Sequence, residues 1–143
     1  MLDQGQHEAF VDAWLERSAE GLPAELLVRL FEQAITALWT RTSTTLGDVT
    51  LGAIADRVVY NAAEKYPLFS AITVEHDSGM QCRDLRQRVS AAQRSELLSG
   101  IRFVLVEFLT VLGNLTAEIL SQELHAELSK VAIDAKEGSR KSS

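Results

Sequence analysis

Ile101-Arg-Phe-Val-Leu-Val-Glu-Phe-Leu-Thr-Val-Leu112 is apolar on nearly every side when wound into a helix. A helix without a broad polar face needs cover all round, so this segment is either the central helix of a bundle or a subunit interface. It is too short to cross a membrane: Arg102, Glu107 and Thr110 interrupt it, and a bilayer requires about 20 predominantly apolar residues. A longer helical pattern surrounds it, from about 90 to about 133. Leu97, Ile101, Val104, Phe108, Val111 and Leu115 step by four and three, and Leu98, Leu105, Leu112 and Ile119 step by seven. Together they form a wide heptad stripe of the kind found in helical bundles and short coiled coils. Gly113-Asn114 is the expected kink, beyond which the apolar seam shifts to Leu120, Leu124, Leu128 and Val131.

A narrow polar edge crosses the same pattern: Glu107, Thr110, Asn114, Glu118, Ser121 and His125 follow one another at three- or four-residue steps. Such an edge is either the solvent-facing side of the helix or a buried polar key between helices. If Glu107 lies inside, its carboxylate needs a cation from another helix, and Arg57 and Arg41 are the candidates.

Upstream, both prolines fall at joints. Pro23 follows Gly21-Leu22 and suits the first turn of a new helix, and Pro67 ends one. Before Pro23, an amphipathic helix from about Gly5 to Glu20 presents Phe10, Ala13 and Trp14. After it, Leu27, Leu30, Phe31, Ala34, Leu38 and Trp39 define a second helix, expected to fray in the hydroxyl-rich stretch after Thr42. Asp48 or Thr50 can cap a third, with Leu51, Ile54, Ala55, Val58 and Ala62 as its buried stripe. Ile72-Thr-Val-Glu75, the turn signal His76-Asp-Ser-Gly79 and Met80-Gln-Cys82 read as a small hairpin, too marginal to stand without support from the helices or another chain. Helix resumes near Asp84, and Ser90-Ala-Ala-Gln93 matches a capping box.

The net charge of −6 disfavours nucleic acid and anionic membranes as general partners. Against that background Arg83, Arg86, Arg88 and Arg94 cluster within a dozen residues, a solvated face or a docking patch for an acidic protein or a phosphate. Cys82 is the only cysteine, which excludes an intrachain disulfide and a cysteine-based metal framework. The start of the sequence carries no secretory signal pattern, so a cytoplasmic setting is expected. His76 and Cys82 flank the hairpin but lack the further ligands a zinc site needs. Gly47 and Gly52 have phosphate-loop spacing, but Ala53-Ile54 stands where lysine and a hydroxyl residue would be required. No nucleophile elbow, dinucleotide fingerprint or Glu-x-x-His pair occurs.

Leu120-Ser-Gln-Glu-Leu-His-Ala-Glu-Leu-Ser-Lys-Val131 resembles the phospho-acceptor helix of bacterial sensor histidine kinases, which reads Ser-His-Glu-Leu-Arg-x-Pro-Leu. Gln122 stands in place of the phosphorylated histidine and Glu127 in place of the proline, so the resemblance carries no phosphorylation site to this chain.

These readings predict an all-α fold: a four- to five-helix bundle with a long, kinked C-terminal helix at about 91–133 and one small β-hairpin at about 72–82. Residues 1–135 are expected to form a single helical domain and 136–143 a disordered tail. The expected function is a non-enzymatic, homodimeric interaction or regulatory module in bacterial-type signalling, with no cofactor and no metal. Its interface or pocket is expected to draw on Ile101, Val104, Leu105, Glu107, Phe108 and Val111, followed by Leu112, Asn114, Leu115, Glu118 and His125. The alternative is a small-molecule sensor in which Trp14, Phe31, Trp39, Tyr60 and Tyr66 line a cavity between helices.

Overall fold

The computed structural model describes residues 4–75, 79–116 and 121–132. Helix α1 (Gln4–Ser18) leads through a positive-φ glycine, Gly21 (φ 77°), and the extended Pro23 into α2 (Ala24–Leu46). Helix α3 (Asp48–Lys65) ends before Pro67, and a 3₁₀ turn (Pro67–Ala71) carries the chain into the hairpin β1 (Thr73–Glu75) and β2 (Gly79–Gln81). The short α4 (Arg83–Arg88), a 3₁₀ turn (Ala91–Gln93), α5 (Arg94–Leu115) and α6 (Ser121–Ser129) follow. The fold is all-α with one two-stranded antiparallel sheet, as expected.

Helix α5 is the central element. α1, α2, α3 and α6 all pack on it, and Leu97, Ile101, Val104, Leu105, Phe108, Leu109 and Leu112 are wholly shielded from solvent. The apolar run is therefore covered by the chain's own helices except at Arg102, Phe103, Glu107, Thr110 and Val111, which stay half-buried. The remainder of the expected long helix is a separate element. α5 stops at Leu115, where the Thr116 hydroxyl bonds back to the Leu112 carbonyl at 2.9 Å, and α6 returns antiparallel to it. Its direction follows from its partners: His125 meets His7, and Val131 meets Trp14, so α6 runs parallel to α1, which is itself antiparallel to α5. The expected kink at Gly113-Asn114 is thus a chain reversal beginning after Leu115, and Gly113 lies buried within the last turn of α5.

Three further boundaries differ from expectation for local reasons. Helix α2 runs through the hydroxyl-rich stretch to Leu46: Thr42 is wholly buried against the core, and the hydroxyls of Thr42, Ser43 and Thr44 donate to the carbonyls of Leu38, Thr40 and Arg41 within the helix. Gly47, at φ 82°, ends it instead. Neither Asp48 nor Thr50 caps α3; Asp48 accepts the Trp39 indole N–H at 3.3 Å. On α1 the buried positions are His7, Val11 and Trp14, with Phe10 half-buried and Ala13 exposed.

The hairpin pairs Thr73 with Gln81, Val74 with Met80 and Glu75 with Gly79, and rests on α2 and α3. That contact supplies the support two isolated strands need. Gly79 lies against the Trp39 ring, where a Cβ would stand 3.6 Å from it. The turn residues 76–78, including His76, and the expected tail at 136–143 lie outside the described residues.

Candidate functional site: the α3–α5 face

The expected interface residues separate into core and surface. Ile101, Val104, Leu105, Phe108 and Leu112 are fully buried within one folded chain, so they hold this domain together and face no partner. Val111 and Glu107 are half-buried, Asn114 is exposed, and Leu115 is 55% exposed. Glu118 lies outside the described residues. The polar edge is not continuous, because His125 travels away with α6 and stacks on Phe10 at 4.1 Å between ring centroids.

What remains at the surface is the seam between α3 and the second half of α5. The two helices run antiparallel: Lys65 sits 4.9 Å over the Phe103 ring, Tyr66 meets the same ring, and one turn on Asn61 and Arg57 share a groove with Glu107 and Val111. The groove encloses about 220 Å³ and has Ala53, Ile54 and Val58 along its α3 wall. Arg57 stands on one wall and Glu107 on the other, and neither makes an ion pair among the described residues. Beside the groove, Val49, Ala53, Arg57 and Tyr60 recur along the outer side of α3 at steps of four, four and three. Val49 is 78% and Tyr60 65% exposed; with Leu115 they are the large hydrophobic side chains left most open among the described residues. The antiparallel arrangement carries Leu115, at the end of α5, toward the half of α3 that bears Val49 and Ala53.

The arginine cluster does not form one patch. Arg94 donates from Nε to the Leu22 carbonyl at 2.8 Å and from Nη2 to the Ala19 carbonyl at 3.1 Å, closing the end of α1. Arg86 pairs with Glu32 at 3.0 Å. Only Arg83 and Arg88 stay exposed, at opposite ends of α4. Arg41, one candidate for Glu107, pairs instead with Glu123.

The aromatic residues expected to line a cavity do not gather around one. Trp14, Phe31 and Trp39 are core, Tyr60 faces solvent, and Tyr66 packs between Phe69 and Phe103. A recess of about 640 Å³ between α1 and α5 is an open trough. Its Arg102 is already held by Asp12 at 2.5 and 3.1 Å, a bond that raises the Arg102 pKa further above its ordinary value. Among the described residues no group of three or more His, Cys, Asp or Glu is placed to hold a metal ion, and no helix is long and apolar enough to cross a membrane.

Two features escaped the sequence reading. His7 is a core residue, 1% exposed, whose Nδ1 lies 2.9 Å from His125 Nε2. The outer stripe Val49–Ala53–Tyr60 was legible as a four- and seven-residue recurrence opposite the buried stripe of α3. Comparison with known proteins adds nothing to this geometry: no family model, no curated protein and no solved structure matches the chain.

Proposed function

We propose that this protein is a non-enzymatic helical module that dimerises through the α3–α5 face and serves regulation or signalling in a cytoplasmic setting. The observation that carries the reading is the group of side chains Val49, Ala53, Tyr60, Val111 and Leu115, left open or half-open on a domain whose core is otherwise complete. Large apolar side chains exposed along one side of a helix, beside an apolar groove, support an association surface there. The free, buried Cys82 agrees with a reducing compartment.

The competing reading, a small-molecule sensor, draws less support. The α3–α5 groove, at about 220 Å³, falls below the roughly 300 Å³ at which ligand pockets begin, and suits one or two protruding side chains better. Light scattering on a sizing column is the test. The wild-type protein is expected to run at the mass of two chains, and Tyr60→Glu or Val49→Glu at the mass of one, with helical circular dichroism retained. A one-chain mass for the wild type at every concentration overturns the reading.

A further inference from the structure

We infer that the occupant of the α3–α5 groove is the same groove of a second copy, related by a two-fold axis running along it, with Arg57 of each chain paired to Glu107 of the other. The inference rests on the dimeric reading above and gives it a register.

Three observations converge. First, Arg57 and Glu107 face each other across one groove from different helices, and neither is engaged in an ion pair among the described residues. Covering them with an apolar partner would bury two charges without compensation, which is costly. A purely acidic or purely basic partner would satisfy one and repel the other.

Second, a two-fold axis along the groove lays α3 of one copy on α5 of its partner. Arg57 and Glu107 line opposite walls of the groove about one turn apart, within reach of two long side chains, so this rotation brings each near its complement on the partner, twice per interface. An isologous contact has this property by symmetry: what residue i offers to j, j offers to i. The stacked helices are also antiparallel, as α3 and α5 already are within one chain.

Third, the chain carries a net charge of −6 and repels copies of itself at long range, whereas the groove contributes one charge of each sign. It is a locally neutral apolar seam on an acidic protein, and close approach there juxtaposes no like charges.

Charge reversal tests the register. Arg57→Glu alone sets two carboxylates against each other at both symmetry-related contacts, and Glu107→Arg alone sets two cations there. Each is expected to weaken dimerisation about tenfold or more by analytical ultracentrifugation. Mixing the two single variants is the decisive step. Each then supplies what the other lacks, and native mass spectrometry is expected to show the mixed dimer and neither self-dimer. If Arg57 and Glu107 simply pair within one chain, mixing restores nothing and the register is overturned. Arg57→Gln and Glu107→Gln, which remove charge without reversing it, serve if a reversal fails to fold; intermediate weakening supports the pairing and unchanged dimerisation refutes it. A wild type that is monomeric defeats the dimeric reading itself. A wild-type dimer that Tyr60→Glu breaks, but that all four charge variants leave intact, defeats only the register.

Discussion

Gly100 sits where α5 crosses the 3₁₀ turn that carries Phe69. A Cβ at this position would overlap the Phe69 ring, which is itself fully buried against Phe31 and Tyr66. The ring has little room to retreat, so Gly100→Ala is expected to cost about 1–3 kcal/mol as an overpacked core, despite the better helix propensity of alanine. A lowered urea midpoint would record it, and Phe69→Leu in the same chain should recover part of the loss; an unchanged midpoint would mean that the ring moves freely. Cys82 makes a second residue-scale case. Burial, and after it the nearby Glu32, push its thiol from the ordinary 9.0 up to about 12, with Arg86 opposing them. The native thiol should therefore resist Ellman's reagent at pH 8 and react on unfolding. The sign of the linkage follows: the unfolded chain loses this proton near pH 9 and the folded one near 12. The stabilisation is complete below pH 9 and is lost as pH rises through that window. Urea midpoints at pH 8 and pH 10 should show the fall, and Cys82→Ala should flatten it.

Among the elements, α6 depends most on its neighbours. A nine-residue helix is too short to hold itself together in water. Its order comes from Leu124 and Leu128, both fully buried, from Val131, and from the Trp14 indole N–H, which donates to the Val131 carbonyl at 3.1 Å. His125 adds a stack on Phe10 and a hydrogen bond with His7, in which one ring donates and the other accepts. The Arg41–Glu123 pair is exposed on both sides and contributes little. Leu128→Asp is accordingly expected to release α6 as a unit. Far-ultraviolet circular dichroism should lose about one short helix and Trp14 fluorescence should shift to the red. A full-length helical signal with unshifted emission would contradict this. Helix α6 also marks where the sequence stops being readable. The apolar seam Leu120–Leu124–Leu128–Val131 was visible, but seven-residue spacing is satisfied equally by a helix that continues and by one that doubles back. No proline stands between Gly113 and Ser121 to separate the two cases. Likewise the hydroxyls after Trp39 read as a fraying signal, yet in place they bond back within the helix while the buried Thr42 keeps α2 packed on the core.

For the molecule as a whole, the single decision taken from Ile101–Leu112 was sound: a helix greasy all round lies at the centre of the bundle. What that segment could not reveal is who covers it. The same pattern admits cover by this chain or by another, and only the packing of α1, α2, α3 and α6 shows that one chain suffices. The candidate site was half legible for a related reason. Glu107 stood out as a charge in an apolar helix and Arg57 as a cation that could answer it, and both do flank one groove. Val49 and Tyr60 recur opposite the buried stripe of α3, which gives their side of the helix, but they carry no contrast of charge that marks a site. Arginine clustering misled because guanidinium groups are often spent on carbonyls and carboxylates of the same fold, as Arg94 and Arg86 are.

Arg94 has one more effect. Its side chain springs from the first residue of α5, and its guanidinium binds the Ala19 and Leu22 carbonyls just past the end of α1, more than seventy residues away along the chain. Helix ends ordinarily fray one at a time, because each is secured by its own local cap. Here one side chain ties the start of α5 to the end of α1, so unwinding the first turn of α5 loosens the other. Melting of the α1 terminus is thereby tied to melting of the central helix, and an edge of the domain shares in the cooperativity of its core.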